Sequence, residues 1–125
     1  MAEIGRPVEL RGGASAGRVS YQEFWPLYLD AHRHPGTRAC HYAATVVGIL
    51  GTAAAVWLAE PLLAAAGILL GYAIAIASHR VIEGNRPLIR INAFYGAISD
   101  LRMIWFALSG RLSGEYRRLG LAPID

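Results

Sequence analysis

Histidines that could bind a metal are gathered at the edge of a long apolar region. The stretch AHRHPGTRACH holds His32, His34 and His41, and the fourth histidine, His79, is followed four residues later by Glu83. On a helix, residues four apart project from one face, one turn apart. Several neutral imidazoles with one carboxylate and no thiolate suit Fe(II), Mn(II) or Zn(II). The pattern predicts a metal site, to which His34 is the least suited because it points away from His32.

Other interpretations of these residues stay open at the level of sequence. A histidine at a membrane interface often serves as a polar anchor, and Glu83 could instead pair with Arg80 or Arg86. Two histidines could also hold a haem iron. Cys40 is the single cysteine, so the chain can form neither an intrachain disulfide nor a thiolate cluster.

Two apolar runs, residues 42–59 and 62–78, must position the histidines, and the dipeptide Glu60-Pro61 separates them. Each run with its flanks reaches about 20 residues, or about 30 Å of helix, which is the thickness of the hydrocarbon core of a bilayer. The alternative is a pair of core helices in a water-soluble bundle. The sequence predicts an all-α integral membrane helical bundle with a central hairpin, whose spans cover about 38–59 and 62–83.

The hairpin brings two of the histidines to one depth. His41 lies nineteen residues before Glu60, and His79 lies nineteen residues after it. In antiparallel helices that turn at Glu60, the two sit at the same level however the helices rotate. The short turn at Pro35 keeps the other two histidines close to that level. We therefore expect all four at the open end of the hairpin.

Flanking segments complete the predicted bundle. Residues 20–33 form an aromatic-rich interfacial or packed helix that begins with a capping box of Ser20 and Glu23. Thr37 is expected to cap the next helix. Segment 88–108 is either one packed helix with a polar face towards the bundle or two shorter interfacial helices. The predicted organisation is a flexible N-terminal tail, one membrane-embedded domain and a C-terminal tail, at residues 1–19, 20–119 and 120–125.

Composition and charge exclude some classes of protein. The chain has 125 residues, of which 54% are apolar, too many for an ordinary soluble domain of this size. Its twelve basic residues are all arginines and are not gathered into one segment, so we expect no nucleic-acid partner. Arginines flank both open ends of the hairpin, and none lies between Arg38 and Arg80. The positive-inside bias therefore predicts that the termini and the histidines lie on the cytoplasmic side.

The histidine pattern resembles that of a known family of small membrane proteins. The stretch YLDAHRHPGTRACHY, followed about 40 residues later by SHRVIEGNRP and then by SDLRM, is similar to proteins related to the fungal 2-hydroxy-fatty-acid dioxygenase of α-oxidation. The likeness runs from about Tyr21 to Leu119. The shared pattern is His-x8-His before a helical hairpin and His-x3-Glu-x-Asn-Arg-Pro after it.

The resemblance implies a function and assigns roles to residues. Members of the family are implied to depend on iron and to cleave a 2-hydroxy fatty acid with O₂ to an aldehyde one carbon shorter. The ligands that the resemblance implies for Fe(II), with Zn or Mn as alternatives, are His32, His41, His79 and Glu83. Whether His34 or Asp100 joins them is open. An arginine could bind the substrate carboxylate bidentately. The candidates for substrate binding are Arg86 first and Arg38 second, with Asn85 beside them.

A second function, from a different class, is compatible with the same residues. The chain could be a non-catalytic membrane scaffold that binds lipid headgroups through its histidines and arginines. The lipid bilayer, expected to be a bacterial inner membrane, is a partner in both cases, and the oligomeric state is left open. In the dioxygenase, small residues between the spans would leave room for the acyl tail, although they could equally serve close helix packing. These small residues are Ala43, Ala44, Ala54, Gly67, Gly71 and Ala75.

Overall fold

The fold is entirely helical over residues 19–122, which are the residues that the computed structural model describes. The predicted tails fall largely outside this range, since residues 1–18 and 123–125 are not described. Five α-helices are present in the described part of the chain, and it contains no strand. The helices are α1 (Tyr21–Asp30), α2 (Pro35–Leu58), α3 (Pro61–Ser78), α4 (Ala93–Leu108) and α5 (Leu112–Arg118). A π-helix (His79–Glu83) continues α3, and a 3₁₀ turn (Leu88–Arg90) precedes α4.

The central hairpin of α2 and α3 confirms the predicted all-α architecture. Ala59 ends α2 in the left-handed conformation (φ 55°), and Pro61 opens α3. Both helices are long and apolar enough to cross a membrane, with 24 residues in α2 and 23 in α3 together with the π-helix. Only 17% of the residues in the most apolar window of each helix are buried. A core helix of a soluble protein is mostly buried, so this outward apolar surface favours a lipid environment.

The backbones of α2 and α3 approach closely along a line of small residues. A Cβ atom added to Gly51 would lie 2.9 Å from the Cα of Gly67, and one added to Gly71 would lie 2.8 Å from the carbonyl oxygen of Ala44. Only glycine permits these approaches without moving backbone. Close helix packing is therefore one role of these small residues. This is the alternative that the sequence left open beside room for an acyl tail.

The start of α2 differs from the expectation. The prediction that Thr37 caps this helix is wrong: the N-cap is His34, whose Nδ1 accepts a hydrogen bond from the Gly36 amide at 3.0 Å. Pro35 explains the earlier start, because proline fits the first helical position, where its missing N–H and fixed φ cost nothing. The capping box of Ser20 and Glu23 that begins α1 is present as predicted.

An aromatic core lies at the open end of the hairpin and joins α1, α4 and α5. Its fully buried members are Phe24, Trp25, Tyr28, Leu29, Met103 and Tyr116. Segment 88–108 forms one main helix, α4, with polar side chains turned to the bundle, which is the first of the two predicted alternatives. The guanidinium of Arg102 stacks on the Trp25 ring, 4.2 Å from its centroid. Through this core, α4 and α5 hold α1 in place.

Glu115 on α5 accepts hydrogen bonds within this core. Arg118 donates to its carboxylate at 2.6 and 2.8 Å, and Trp25 Nε1 donates at 2.8 Å. The hydrogen bonds from Arg118 lower the pKa of Glu115 to about 2, with burial opposing and Trp25 assisting the shift. The carboxylate thus ties α5 to α1.

Acid should weaken this connection. Because the pKa of Glu115 is lower in the folded chain than in the unfolded one, its stabilising effect is full above about pH 4.5 and disappears as the pH falls towards 2. We expect the free energy of unfolding of the wild type to fall over that window more steeply than that of Glu115→Gln. Denaturant titrations in detergent at pH 6 and pH 3 measure the difference. Parallel pH profiles for the two proteins would contradict the prediction.

Candidate metal centre

Three buried histidines converge on one point at the open end of the hairpin. The Nε2 atom of His41 lies 3.1 Å from the Nε2 atoms of both His32 and His79. One ring nitrogen from each residue lies within 4.8 Å of those of the other two. The residues are 1%, 6% and 1% exposed, in chain order. Such a cluster of nitrogen atoms is a potential metal site.

Each histidine comes from a different element. His32 lies just after α1, His41 lies in the second turn of α2, and His79 opens the π-helix. The equal spacing of His41 and His79 from Glu60 predicts their meeting. His32 is brought to them by the turn between α1 and α2, where Tyr116 of α5 donates a hydrogen bond to the carbonyl oxygens of Leu29 and His32 at 2.9 and 2.7 Å.

Every histidine of the cluster has an oxygen acceptor at its second ring nitrogen. His32 Nδ1 faces the carbonyl oxygen of Tyr28, and His41 Nδ1 lies 2.9 Å from Asp100 Oδ1. His79 Nδ1 lies 2.7 Å from Asn85 Oδ1. The amide group of Asn85 is oriented, because its nitrogen donates to the carbonyl oxygen of Ala31 at 3.0 Å. All three Nδ1 atoms therefore carry the proton.

This tautomer makes the cluster fit a metal cation. With each proton on Nδ1, the Nε2 lone pair of His41 faces those of His32 and His79 at 3.1 Å without a proton between them, which is repulsive unless a positive ion lies there. Burial lowers the pKa of His32 well below its usual value, and the neighbouring His41 and His79 lower it further. The neutral form is the one that binds metals. Oxygen acceptors behind metal-bound imidazoles are a common second layer of such sites.

Glu83 is placed differently from its predicted role. Its carboxylate accepts hydrogen bonds from the backbone amides of Arg33 at 3.0 Å and His34 at 3.1 Å, and the three-histidine group does not include it. The π-helix explains the difference, because its wider turn removes the α-helical stacking of residues four apart. Glu83 thereby holds the loop that carries His32. No pattern in the sequence predicts a π-helix at residues 79–83.

The remaining predicted residues also fall outside the cluster. His34 caps α2. Arg38 donates to the carbonyl oxygens of His32 at 3.1 Å and Arg33 at 2.6 Å, so it supports the turn rather than pointing into the site. Arg86 is exposed in the loop after the π-helix. Asn85, predicted to bind substrate, is the partner of His79.

The sequence analysis gave Tyr28 no role and left open whether Asp100 joins the ligands. The Tyr28 hydroxyl donates to Asp100 Oδ1, and the Tyr28 ring stacks on His32 with 4.0 Å between centroids. Burial and the Asp100 charge raise the pKa of Tyr28 well above its usual value. Two signals were available: Tyr28 lies one helical turn before His32, and Asp100 lies within the family-like stretch SDLRM.

We expect Asn85→Ala to weaken metal binding without unfolding the protein. The change removes the acceptor of His79 Nδ1 and the tie to Ala31, and loss of an outer partner typically lowers metal affinity by about 10 to 100-fold. Competition with a chromogenic chelator measures the affinity. Asn92→Ala serves as a control, because Asn92 caps α4 through the Tyr95 amide. Equal metal affinities for the two variants would contradict the role of Asn85.

A cavity of about 850 Å³ opens from the histidine cluster and runs between α2, α3 and α4. Its polar end is formed by Tyr28, Asp100 and the three histidines. The rest of the lining is mostly apolar. Of the small residues expected to leave room for an acyl tail, Ala44, Gly71 and Ala75 line the cavity, whereas Ala43, Ala54 and Gly67 do not. The arrangement can accept a molecule with one polar head and a long apolar body.

Of three comparisons with known proteins, one found a match. A search of curated proteins and a search of solved structures each returned no match. A family model described as "2-hydroxy-palmitic acid dioxygenase Mpo1-like" matches residues 19–112, a range that includes the three histidines, Tyr28, Asn85 and Asp100. Because this match covers most of the chain, the protein belongs to the Mpo1-like family.

Proposed function

We propose that the protein is an Fe(II)-dependent membrane dioxygenase that shortens 2-hydroxy fatty acids by one carbon. The observation that supports this most is the position of three buried histidines at the polar head of an apolar cavity. The family match supports the same substrate class. A bound iron would supply Lewis acidity and redox chemistry with O₂. Three imidazoles and no thiolate suit Fe(II), although Zn(II) and Mn(II) accept the same ligands.

The protein's own residues position the reacting groups and exclude water. His32, His41 and His79 would hold the metal, and their Nδ1 acceptors fix the direction of each ring. Tyr28 and Asp100 line the cavity beside the histidines. Their hydroxyl and carboxylate groups would make hydrogen bonds with the hydroxyl group of a 2-hydroxy acid. The apolar lining beyond them keeps bulk water from the C1–C2 bond.

The substrate carboxylate is assigned to an arginine only as a prediction. Neither Arg86 nor Arg38 lines the cavity. Arg86 is exposed and lies two residues after Gly84, which has a φ of 73°. Its binding of the carboxylate would need the side chain to fold over the mouth. We retain Arg86 as the first candidate for this role.

The proposed setting is a lipid bilayer crossed by α2 and α3. The apolar side chains that these helices expose would face lipid. Five arginines flank the two open ends of the hairpin along the chain, namely Arg33, Arg38, Arg80, Arg86 and Arg90, and the positive-inside bias would place this end in the cytoplasm.

Metal analysis combined with O₂ uptake tests the function. We expect the detergent-purified protein to contain about one iron per chain and to consume O₂ with 2-hydroxypalmitate but not with palmitate, which lacks the hydroxyl. A protein that binds no metal and consumes no O₂ would instead be the scaffold. Product analysis distinguishes two balanced cleavages. Cleavage of the 2-hydroxy acid by one O₂ to an aldehyde and CO₂ leaves H₂O₂ as the third product. Cleavage to a carboxylic acid one carbon shorter and CO₂ leaves water as the third product.

A further inference from the structure

The cavity follows one face of α2 for almost the whole length of the helix. Its lining on α2 begins at His41 and recurs every three or four residues as far as Trp57. That spacing is the repeat of a single helical face. The fifteen residue-to-residue steps from His41 to Val56 span about 22 Å along the helix axis. The cavity is therefore a groove with its polar end at the histidines and its far end near the hairpin turn.

The groove is open along its side rather than closed. Several of its lining residues are themselves exposed, among them Ile68 and Tyr72 on α3 and Leu101 on α4. Its two walls, α3 and α4, both lie against α2. A single chain could therefore enter sideways between the walls.

Two glycines line this groove at positions where an added side-chain carbon would contact no other residue. A Cβ atom added to Gly48 on α2 or to Gly96 on α4 would have no heavy atom within 4 Å. This separates them from Gly51 and Gly67, whose added Cβ atoms would strike backbone of the opposite helix at 2.8 to 3.0 Å. Helix packing therefore explains Gly51 and Gly67 but not Gly48 or Gly96. The latter two keep the groove wide.

We infer that the groove holds the acyl tail of the substrate, entering sideways from the bilayer, and that Gly48 and Gly96 determine how long a tail fits. The inference rests on the proposed function. One end of the groove offers a cation site that suits an acid head, and the rest is mostly apolar, which matches a single-chain amphiphile. At about 1.2 Å per bond of an extended chain, the 22 Å groove accommodates about 18 carbon–carbon bonds.

The position of Gly48 gives the inference a length scale. Gly48 lies seven residues after His41, or about 10 Å along α2, so a tail passes it after about eight carbons. Gly48 lines the groove, and a Cβ atom added there has no heavy atom within 4 Å, so a leucine at this position would extend into the groove. Tails shorter than about eight carbons would bind to this variant as they bind to the wild type. Longer tails would lose their contacts with the groove beyond the leucine.

Binding of 2-hydroxy acids of six, eight, ten and twelve carbons tests the inference. Dissociation constants are measured without O₂, so that no turnover is needed. In the wild type we expect the affinity to rise by about fourfold for each added CH₂. In Gly48→Leu the rise should stop near eight carbons, and Gly96→Leu, on the α4 wall, should also level off before twelve. Gly114→Leu is the matched control, because Gly114 has the same free space but lies on α5, outside the groove.

The outcomes separate this inference from the proposed function. If both groove variants follow the wild-type rise to twelve carbons, the tail lies elsewhere and the inference is wrong. The same conclusion follows if the wild type consumes O₂ with 2-hydroxypalmitate but shows no rise at all. If the variants level off while the wild type shows no O₂ uptake, the groove binds acyl tails and only the dioxygenase function fails.

Discussion

Replacing His41 or His79 by alanine is expected to abolish metal retention. Each change removes one of three nitrogen atoms that converge within 4.8 Å. Loss of an outer partner alone typically costs about 10 to 100-fold in metal affinity, so loss of a ligand should exceed about 100-fold. Elemental analysis of the purified variants, together with circular dichroism to check folding, measures the effect.

His34→Ala is the control for these variants. It removes a histidine from the same region of the chain, but one whose Nδ1 atom caps α2 through the Gly36 amide. Loss of such a cap costs about 1 kcal/mol of stability, and the metal content should stay near that of the wild type. A folded His79→Ala protein with full metal occupancy would show that the histidine cluster is not the metal site.

Gly51→Ala is expected to be the most damaging of the small substitutions in the hairpin. The new Cβ atom would lie 2.8 Å from the carbonyl oxygen of Leu63 and 2.9 Å from the Cα of Gly67, and neither backbone atom can move alone. The helices must separate, and overpacking of this kind typically costs about 1 to 3 kcal/mol. Denaturant titration in detergent measures the free energy of unfolding.

Gly48→Ala provides the opposite expectation on the same helix. Its Cβ atom would have no neighbour within 4 Å, so the only change is the better helix propensity of alanine. We expect a gain of up to about 1 kcal/mol. If Gly51→Ala and Gly48→Ala were equally stable, the close contact of α2 and α3 would not exist in the protein.

The hairpin and the depth of its histidines could be predicted because both depend only on the number of residues between fixed points in the chain. Two apolar runs of membrane length around Glu60-Pro61 require antiparallel helices, and equal spacing from that turn requires His41 and His79 to lie at the same depth. The distance of 3.1 Å between their Nε2 atoms agrees with this. Such relations need only the repeat of the helix, which is the same for every sequence.

The side chains that hydrogen-bond to the Nδ1 atoms of His41 and His79 could not be predicted, because their positions depend on an irregular backbone and on long-range packing. The π-helix turns Glu83 away from His79 and leaves Asn85 as the partner of the imidazole. Asp100 reaches His41 from a helix 59 residues further along the chain, and no local pattern states how α4 is rotated. The start of α2 was missed for a local reason, since Pro35 outweighs the capping tendency of Thr37.

The spacing of the histidines along the chain also has a consequence for biogenesis. His32 and His41 are synthesised 38 residues or more before His79, with both apolar spans between them. The cluster is therefore complete only after α3 has been synthesised and has folded back on α2. Before that moment the nascent chain presents only two of the three cluster histidines and cannot form the three-nitrogen site. If the proposed membrane setting and metal site hold, metal retention would report the pairing of the two spans as well as local folding, and a chain truncated after α2 should retain no metal.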